Sequence, residues 1–404
     1  MIRTLRADFN QRFNKTKYAE LLRRLNEESG TAIKFPVAET PVFLPPELLD
    51  EIVTTGAELT HQLMGNAEAL RRSAEATPHE WRVPGEDAHP HFMAVDFGLV
   101  RNEEDRLRPK LVELQAFPSV FGYQALLSRM YIEVYGLNPG LRWFLNGMNE
   151  DEYWQLLREV IVGEHAVENV ILAEVELHTQ KTLPDFRLHE KKLRIRSVDV
   201  ASLRKDGRKL LYERDGVWTQ VKRIYNRVIV DELVRKNFRL GFDYRDELDV
   251  EWAGHPNWYF RVSKFSLPFL RHASVPGAVF LDDWIAGNGR DRLPEDPARR
   301  VLKPLYSFAG KGIEFAPTEN RLLEIPVAER GQYLLQERVR FEPVVETPEG
   351  PTQAEVRIMY VWPEKGRLTP TISLVRMGRG LMMGVDHNKD QAWVGGSAGL
   401  FPGI

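Results

Sequence analysis

The sequence predicts an α+β protein built from two or three modules, and three stretches carry that prediction. Residues 1–83 are mostly helical in pattern, because apolar residues recur at helical spacing between proline and glycine stops. Residues 146–255 alternate strand-like and helical runs, which is typical of a βαβ unit. Residues 256–404 contain a strand, a glycine loop and further strands.

Composition narrows the function before any motif is considered. The 404 residues include 55 Lys and Arg against 58 Asp and Glu, a formal net charge of -3, and no cysteine. Without net positive charge there is no global field for nucleic acid or an anionic membrane, so any phosphate must be held by a local site. The lack of cysteine excludes disulfides, thiolate nucleophiles and zinc–thiolate clusters. No apolar run approaches the roughly 18 residues of a spanning helix, so we expect a soluble, cytoplasmic protein.

Two helices are predicted within the N-terminal segment. The first is KYAELLRRLNEESG, in which apolar residues recur at helical spacing and which ends at a glycine. The second is PPELLDEIVTTGAELTHQLMGNAEALRRSAE, which starts at two prolines. The extended stretch between them, FPVAETPVFLPP, has two interpretations: it lines an acceptor pocket, or it is an arm that packs over the following hairpin.

Residues 84–145 are predicted to hold a β-hairpin with acidic residues inside its apolar strands. Its strands are HFMAVDFGLV and PKLVELQAF, joined by the charged turn RNEEDRLR. Glu113 and Gln115 are two apart, so both side chains point to one face, and Asp96 sits on the neighbouring strand. Mg²⁺ prefers carboxylate oxygens, so this hairpin is a candidate metal site.

Residues 146–255 are predicted to form an α/β domain. The helix NEDEYWQLLREVIVGE is followed by the strand ENVILAEVEL, the helix LPDFRLHEKKL and the strand IRSVDVASL. Asp206-Gly207 and Asp215-Gly216 then predict two tight turns between strands.

The strongest candidate for chemistry lies in residues 256–404. Lys303 follows two apolar strand residues, and the glycines of the loop after it let backbone N–H groups approach a ligand closely. This is not a Walker loop, because the order Gly-x-x-x-x-Gly-Lys-Ser/Thr is absent. The alternative is an ordinary hairpin with a lysine at its edge. Lys264 lies upstream, in a segment predicted as a helix beginning near Tyr259, and Gln336-Glu337 follows the hairpin.

These features, in this order, resemble the ATP-grasp superfamily. They are nearest to the ligase half of glutathionylspermidine synthetase and its circularly permuted relatives, in which an N-P-x-W segment, a lysine, a K-P-x-x-G-R-E-G loop and a Q-E hinge recur. The corresponding residues here are His255-Pro256-Asn257-Trp258, Lys264, Lys303-Pro304 with the loop up to Gly312, and Gln336-Glu337. The resemblance implies a permuted ATP-grasp fold, in which the 146–255 domain corresponds to the pre-ATP-grasp domain.

The resemblance also implies ATP and Mg²⁺ as cofactors and assigns roles to individual residues. Lys264 and Lys303 would bind the ATP phosphates, and Arg357, in a D/E-x-R strand, would stabilise the transferring phosphoryl group. The loop and the hinge would complete the nucleotide site with Ser307, Gly310, Lys311, Gly312, Gln336 and Glu337. The metal would be held by Asp96, Glu113 and Gln115.

The sequence departs from the family at several positions. Gln115 stands where asparagine is usual, Ala94 stands where the family has arginine, and the glycine loop is nearer the general ATP-grasp version. Arg376 and Arg379 are further phosphate candidates, but a solvated salt bridge is the favoured interpretation of each. Asp386 and Asn388 form a rival metal pair, for which we favour a solvated loop. The histidines lack zinc-site spacing, and no serine lies in a hydrolase elbow.

The implied function is ATP-dependent ligation of a carboxylate to an amine through an acyl-phosphate. The expected partners are a small carboxylate and a small amine or a peptide, with no nucleic acid and no membrane. Two alternatives stay open: a nucleotide-binding scaffold or sensor without ligase turnover, and an ATP-grasp phosphotransferase.

Overall fold

The computed structural model describes residues 1–306, 312–383, 388 and 390–403. The α-helices in these ranges are α1 (Arg3–Arg12), α2 (Lys15–Ser29), α3 (Pro46–Met64), α4 (Ala67–Ala76), α5 (Phe121–Tyr135), α6 (Glu150–Ile161), α7 (Leu183–Leu193), α8 (Val230–Arg235), α9 (Asn257–Arg261), α10 (Leu281–Ile285), α11 (Glu319–Leu323) and α12 (Val327–Arg330). Short 3₁₀ helices cover His79–Trp81, Val167–Asn169, Leu177–Thr179, Val200–Ser202, Lys264–Phe269, Arg290–Arg292 and Pro297–Arg299.

The strands fall into four sheets. In chain order they are β1 (Val42–Phe43), β2 (Phe92–Arg101), β3 (Leu107–Gln115), β4 (Leu141–Arg142), β5 (Val170–Glu174), β6 (Arg196–Asp199), β7 (Arg204–Asp206), β8 (Lys209–Arg214), β9 (Val217–Val221), β10 (Arg223–Asn226), β11 (Glu251–Ala253), β12 (Ala278–Phe280), β13 (Arg300–Pro304), β14 (Glu314–Phe315), β15 (Tyr333–Glu337), β16 (Pro343–Val345), β17 (Thr352–Val361), β18 (Thr369–Gly378) and β19 (Gly395–Pro402).

The largest sheet, called here the main sheet, has the strand order β1-β19-β18-β17-β2-β3, with β16 paired to β17 and β4 paired to β19. The hairpin predicted within residues 84–145 is confirmed, since β2 and β3 pair antiparallel. Strand β17 pairs with β2 on its other side, with Arg357 opposite Asp96. The main sheet therefore joins the hairpin to β16, β17, β18 and β19, which lie between Pro343 and Pro402.

The two faces of the main sheet differ in chemistry. On one face, Val95 and Val356 are completely buried in a core that also contains Ile52 of α3, and the Tyr360 hydroxyl donates to the Val53 carbonyl oxygen at 2.7 Å. The opposite face is apolar where α5 crosses it, and it carries charged side chains beyond that helix. These charged side chains thus lie on the part of that face that α5 does not cover.

The second sheet has the order β11-β10-β5-β6 and is parallel throughout. The predicted βαβ unit is confirmed as β5-α7-β6. The two predicted tight turns join β7 to β8 and β8 to β9, and Gly207 and Gly216 have φ values of 60° and 81°, as such turns require.

The third sheet, called here the small sheet, has the antiparallel order β12-β15-β13-β14. The alternation of β13 places Leu302 in a core with Trp284 and turns Lys303 to the opposite face. Leu334 of β15 and Phe280 of β12 lie in register with Lys303, and both belong to the same core as the buried face of the main sheet.

Two secondary-structure expectations need correction. The helix expected to begin near Tyr259 is wrong: α9 begins at Asn257, and Val262 and Ser263 are extended before the 3₁₀ helix that starts at Lys264. The break is fixed locally, because the Ser263 hydroxyl accepts from the Phe265 N–H. The second predicted N-terminal helix is also broken, because α3 ends at Met64 and Asn66 caps α4. The first predicted helix corresponds to α2.

The N-terminal segment packs on the main sheet. Strand β1 pairs parallel with β19, and the Ile2 N–H donates to the Phe43 carbonyl oxygen at 3.0 Å. Across the described ranges, no helix has both the length and the apolar character needed to cross a bilayer.

Candidate functional site

A row of charged side chains crosses four strands of the main sheet, β3, β2, β17 and β18. Asp96 of β2 lies opposite Arg357 of β17 on one side and opposite Glu113 of β3 on the other. Residues directly opposite one another share a face of the sheet and contact each other. Glu355 lies two residues before Arg357, so it faces the same way, and it pairs with Arg376 of β18.

Asp96 is the most deeply buried charge of the row, with 1% of its surface exposed. Its two carboxylate oxygens accept from Arg357 Nε at 2.5 Å and Nη2 at 2.7 Å, and Arg376 Nη2 also donates to it. Burial alone would raise the pKa of Asp96, but the two guanidiniums outweigh it and hold that pKa below its usual value. Asp96 is therefore an anion clamped by two cations.

In Glu355, burial and neighbouring carboxylates outweigh the effect of the nearby arginines on the pKa. Burial raises the pKa of Glu355, and the nearby carboxylates of Asp96 and Glu113 add to that effect. Arg376 Nε lies 2.7 Å from Glu355 Oε1 and opposes the shift without cancelling it. The row thus holds one carboxylate whose pKa is lowered, Asp96, and one whose pKa is raised, Glu355.

Two lysines face this row from other elements. Lys264, at the start of its 3₁₀ helix, places Nζ 3.5 Å from Glu113 Oε2. Lys303 is buried, and this burial lowers its pKa to about 8; the Lys264 charge adds to the effect, while Glu113 and Glu355 oppose it. Lys303 of the small sheet and Glu113 and Glu355 of the main sheet are therefore electrostatic neighbours, although they are far apart in sequence.

The residues assigned to the hinge lie on the two faces of β15. Gln336 is 1% exposed, it faces the same side as Lys303, and its Oε1 atom has no hydrogen-bond partner among the residues that the structure describes. The Glu337 carboxylate accepts from Arg299 at 3.2 Å on the other side. Gln336 is thus the hinge side chain that belongs with Lys303.

The glycine loop is described only at its end. Gly312 has a φ of +76°, and a Cβ at this position would meet Pro304 at 2.8 Å, so glycine is required there. Ser307, Gly310 and Lys311 lie outside the described residues, as does Asp386 of the rival metal pair. Asn388, its partner, is buried and donates from Nδ2 to the Met382 carbonyl oxygen at 2.9 Å.

Sequence reasoning gave Glu355 and Arg376 no firm place in the site. The interpretation of Arg376 as a solvated salt bridge is wrong, because it bonds Asp96 and Glu355 within the row. Arg379 points elsewhere, to the Ala392 carbonyl oxygen and the Thr347 hydroxyl. One sequence feature points to Glu355. It lies two residues before Arg357, the same spacing as between Glu113 and Gln115, so the two side chains of each pair face the same side of the sheet.

The donor atoms of the row fit Mg²⁺ in part. Glu113 and Gln115 offer adjacent oxygen atoms, and Mg²⁺ is usually held by one or two protein oxygens together with substrate phosphates. Gln115 Nε2 donates to Glu113 Oε1 at 2.5 Å, and Gln115 Oε1 accepts from Arg357 at 3.1 Å. Asp96 fits less well, because both of its oxygens bind guanidiniums. Within the described ranges, no group of three or more His, Cys, Asp or Glu side chains is arranged for a metal.

The arrangement has the chemistry of a polyanion site. The ammonium groups of two lysines and the guanidiniums of two arginines lie around the carboxylates of the row. The carboxylates that balance them are already paired with arginine or lysine. A phosphate chain entering here would exchange these internal ion pairs for its own.

Comparison with solved structures finds a protein of similar fold. No protein-family model and no curated protein matches the chain. Among solved structures, the chain is similar to a glutathione synthetase like-effector from Globodera pallida in its apo form, with a TM-score of 0.56 and 12% sequence identity over 97% of this chain and 98% of that one. At this identity the likeness concerns the fold alone. The chain has an α+β fold similar to that of a glutathione synthetase-like protein over essentially its whole length.

Proposed function

We propose that the chain is an ATP-dependent carboxylate–amine ligase with a circularly permuted ATP-grasp fold. The observation that carries the proposal is the meeting of Lys264 and Lys303 with the carboxylate and arginine row of the main sheet. A binding site for a charged phosphate chain needs cations from rigid elements on both sides, and this site has them. The full-length likeness to a glutathione synthetase-like fold supports the same class of reaction.

ATP would lie between the small sheet and the main sheet. Lys303 and Lys264 would contact its phosphates, and the buried Gln336 amide oxygen, which has no partner in the described ranges, would accept from the adenine amino group. The loop of residues 307–312 and the backbone at Glu337 would close the nucleotide site. Glu113 and Gln115 would hold Mg²⁺, which neutralises phosphate charge when it is bound.

Catalysis would consist of positioning and charge neutralisation. The γ-phosphoryl group passes from ATP to a carboxylate oxygen and leaves ADP, and the amine nitrogen then attacks the acyl carbon and displaces phosphate. Arg357 would stabilise the transferring phosphoryl group, with Arg376 beside it. No side-chain nucleophile is required. The substrates would be a small carboxylate and a small amine or a peptide, and the cytoplasm, which supplies ATP, would be the location.

The lowered pKa of Lys303 predicts a pH dependence of nucleotide binding. Only the ammonium form attracts phosphate, so the affinity for ATP should fall as the pH rises through about 8, by at most about tenfold per pH unit for one proton. Calorimetric titration of ATP across this range measures the effect. In Lys303→Met the slope should disappear, and an unchanged slope in that variant would assign the titration to another group.

The two candidate metal pairs predict different outcomes on substitution. Glu113→Gln removes a carboxylate charge from the row, so the Mg²⁺ concentration needed for half-maximal ATP turnover should rise by about tenfold or more. Asn388→Ala should leave that concentration unchanged, because Asn388 already bonds the backbone of its own loop. The reverse pattern would move the metal to the rival pair.

The reaction itself is tested by ADP release with pooled carboxylates and amines, with and without Mg²⁺. ADP release that requires both a carboxylate and an amine supports the ligase. ADP release that requires only one acceptor indicates a phosphotransferase.

A nucleotide-binding scaffold is the second candidate, and one observation favours it. Arg357 and Arg376 already donate three hydrogen bonds to the two oxygens of Asp96, so this carboxylate has little acceptor capacity left for a metal. ATP binding without turnover under any acceptor would support the scaffold.

A further inference from the structure

We infer that a second ligand site lies at the outer edge of the small sheet, where an arginine-lined cleft binds a small organic molecule through a dianionic oxyanion group carried on an apolar or aromatic portion. The cleft has a volume of about 330 Å³. We call it the arginine cleft, and the residues that define it are Arg72, Phe269, Arg271, Phe280, Asp283 and Arg292.

Two of its guanidiniums converge on one neutral oxygen. Arg271 Nη1 and Arg292 Nη1 both donate to the Pro268 carbonyl oxygen, at 2.7 Å and 2.9 Å. Neither forms an ion pair with any part of the chain that the structure describes. Burial and the Arg271 charge lower the pKa of Arg292, so the pair repel each other at close range. An anion between them would relieve this repulsion.

The third guanidinium, that of Arg72, packs on two aromatic rings that form the apolar floor of the cleft. Arg72 lies over the rings of Phe269 and Phe280, 5.3 Å and 5.0 Å from their centroids. It also has no ion pair among the described residues, so its N–H edge remains available to a ligand while its face is held by the rings. A ligand that reaches all three arginines must lie against this aromatic floor, which explains why an apolar portion is expected.

The net formal charge of the arginine cleft indicates the charge expected of its ligand. Three arginines and the Asp283 carboxylate line the cleft with a formal charge of +2 (three minus one), and the Asp291 carboxylate acts on Arg292 from outside this lining. A phosphate monoester or a dicarboxylate balances that charge, and a neutral molecule does not. Arginine favours such groups, because its planar fork donates two parallel hydrogen bonds to them.

The arginine cleft is distinct from the proposed ATP site. Phe280 of β12 is in register with Leu334, and Leu334 with Lys303, so two strand spacings, roughly 10 Å, separate Phe280 from that lysine. The 3₁₀ helix between the two sites begins at Lys264 and ends at Phe269, so each site takes one end of it. The inference does not depend on ATP binding.

Calorimetric titration of the full chain without nucleotide tests the inference. The probes are phenyl phosphate, phenylsuccinate as the dicarboxylate, inorganic phosphate, and benzyl alcohol as the neutral analogue. We expect saturable binding of phenyl phosphate or phenylsuccinate, and whichever binds tighter identifies the source of the oxyanion. Inorganic phosphate should bind at least about tenfold more weakly, because it lacks the part that covers the aromatic floor.

Substitutions locate the binding. Arg72→Ala and Arg292→Ala should each weaken it by about tenfold or more, and Arg292→Lys should weaken it despite keeping the charge. Arg239→Ala, an exposed arginine elsewhere, and Lys303→Met should leave it unchanged. Circular dichroism establishes that each variant is folded, and Arg292→Lys gives the decisive result if an alanine variant is not. No binding to the wild type, equal binding of benzyl alcohol, or loss of binding only in Lys303→Met would overturn the inference.

Discussion

Replacing Asp96 with asparagine is expected to lower the free energy of unfolding by about 3–5 kcal/mol, because it leaves the buried Arg357 and the partly buried Arg376 without their shared anion. Asp96 is almost completely buried and takes a bidentate bond from Arg357 and a further bond from Arg376. Asparagine has nearly the same shape, so the loss reports charge and hydrogen bonding rather than packing. Urea denaturation at neutral pH, followed by circular dichroism, measures the difference.

The control is Asp282→Asn, which removes an exposed carboxylate and should change the stability by less than about 0.5 kcal/mol. Since the folded-state pKa of Asp96 is lowered, its contribution is present above the unfolded value of about 3.9 and is lost as the pH falls through the lower folded value. The difference between wild type and Asp96→Asn should therefore shrink in acid. If Asp96→Asn is as stable as the wild type, the bonds of Asp96 with Arg357 and Arg376 do not stabilise the fold.

Replacing Lys303 with methionine should reduce the affinity for ATP by roughly 10- to 100-fold, the loss expected when a charge-assisted hydrogen bond to phosphate is removed. Methionine fills similar space without the ammonium group. Stability should not fall, because burial in the native state disfavours the charged form of this lysine, as its lowered pKa indicates. Equilibrium dialysis with ATP, alongside urea denaturation, separates the two effects.

Lys209→Met is the matched control, since Lys209 is exposed on β8 of a different sheet. It should bind ATP as the wild type does. If Lys303→Met binds ATP normally while remaining folded, the phosphates lie elsewhere and the assignment of Lys303 is wrong.

Local patterns were sufficient to predict several elements that build the site. The β2–β3 hairpin follows from alternating apolar residues on both sides of a charged turn, and β5-α7-β6 follows from a change of period along the chain. The delivery of Lys303 from a strand could also be predicted, since Val301 and Leu302 precede it. Each of these features depends on neighbours in sequence.

Pairings between distant segments could not be predicted in the same way. Asp96 and Arg357 are 261 residues apart, and no local pattern states that β17 lies beside β2. The roles of Glu355 and Arg376 depend on that pairing, so they were missed or misassigned. Two elements also lacked a periodic signal: α5 is buried on nearly all sides, and β19 is rich in glycine, which disfavours strands.

The helix expected near Tyr259 failed for a local reason. Ser263 competes for the backbone through its hydroxyl, which stops α9 and starts a new turn at Lys264. The stop has a consequence for the site, because it sets Lys264 at the first position of a separate helix with Nζ toward Glu113. Here the departure from regular helix is what positions the candidate phosphate ligand.

Binding of ATP with its phosphates at Lys303, between the two sheets, can be measured by calorimetric titration of the wild type near pH 8 in two buffers with different ionisation enthalpies. We expect one site per chain and uptake of a fraction of a proton on binding, because phosphate raises the pKa of Lys303 from about 8. That uptake should be absent in Lys303→Met. No detectable ATP binding to the wild type, or the same proton uptake in Lys303→Met, would contradict binding of the phosphates at Lys303.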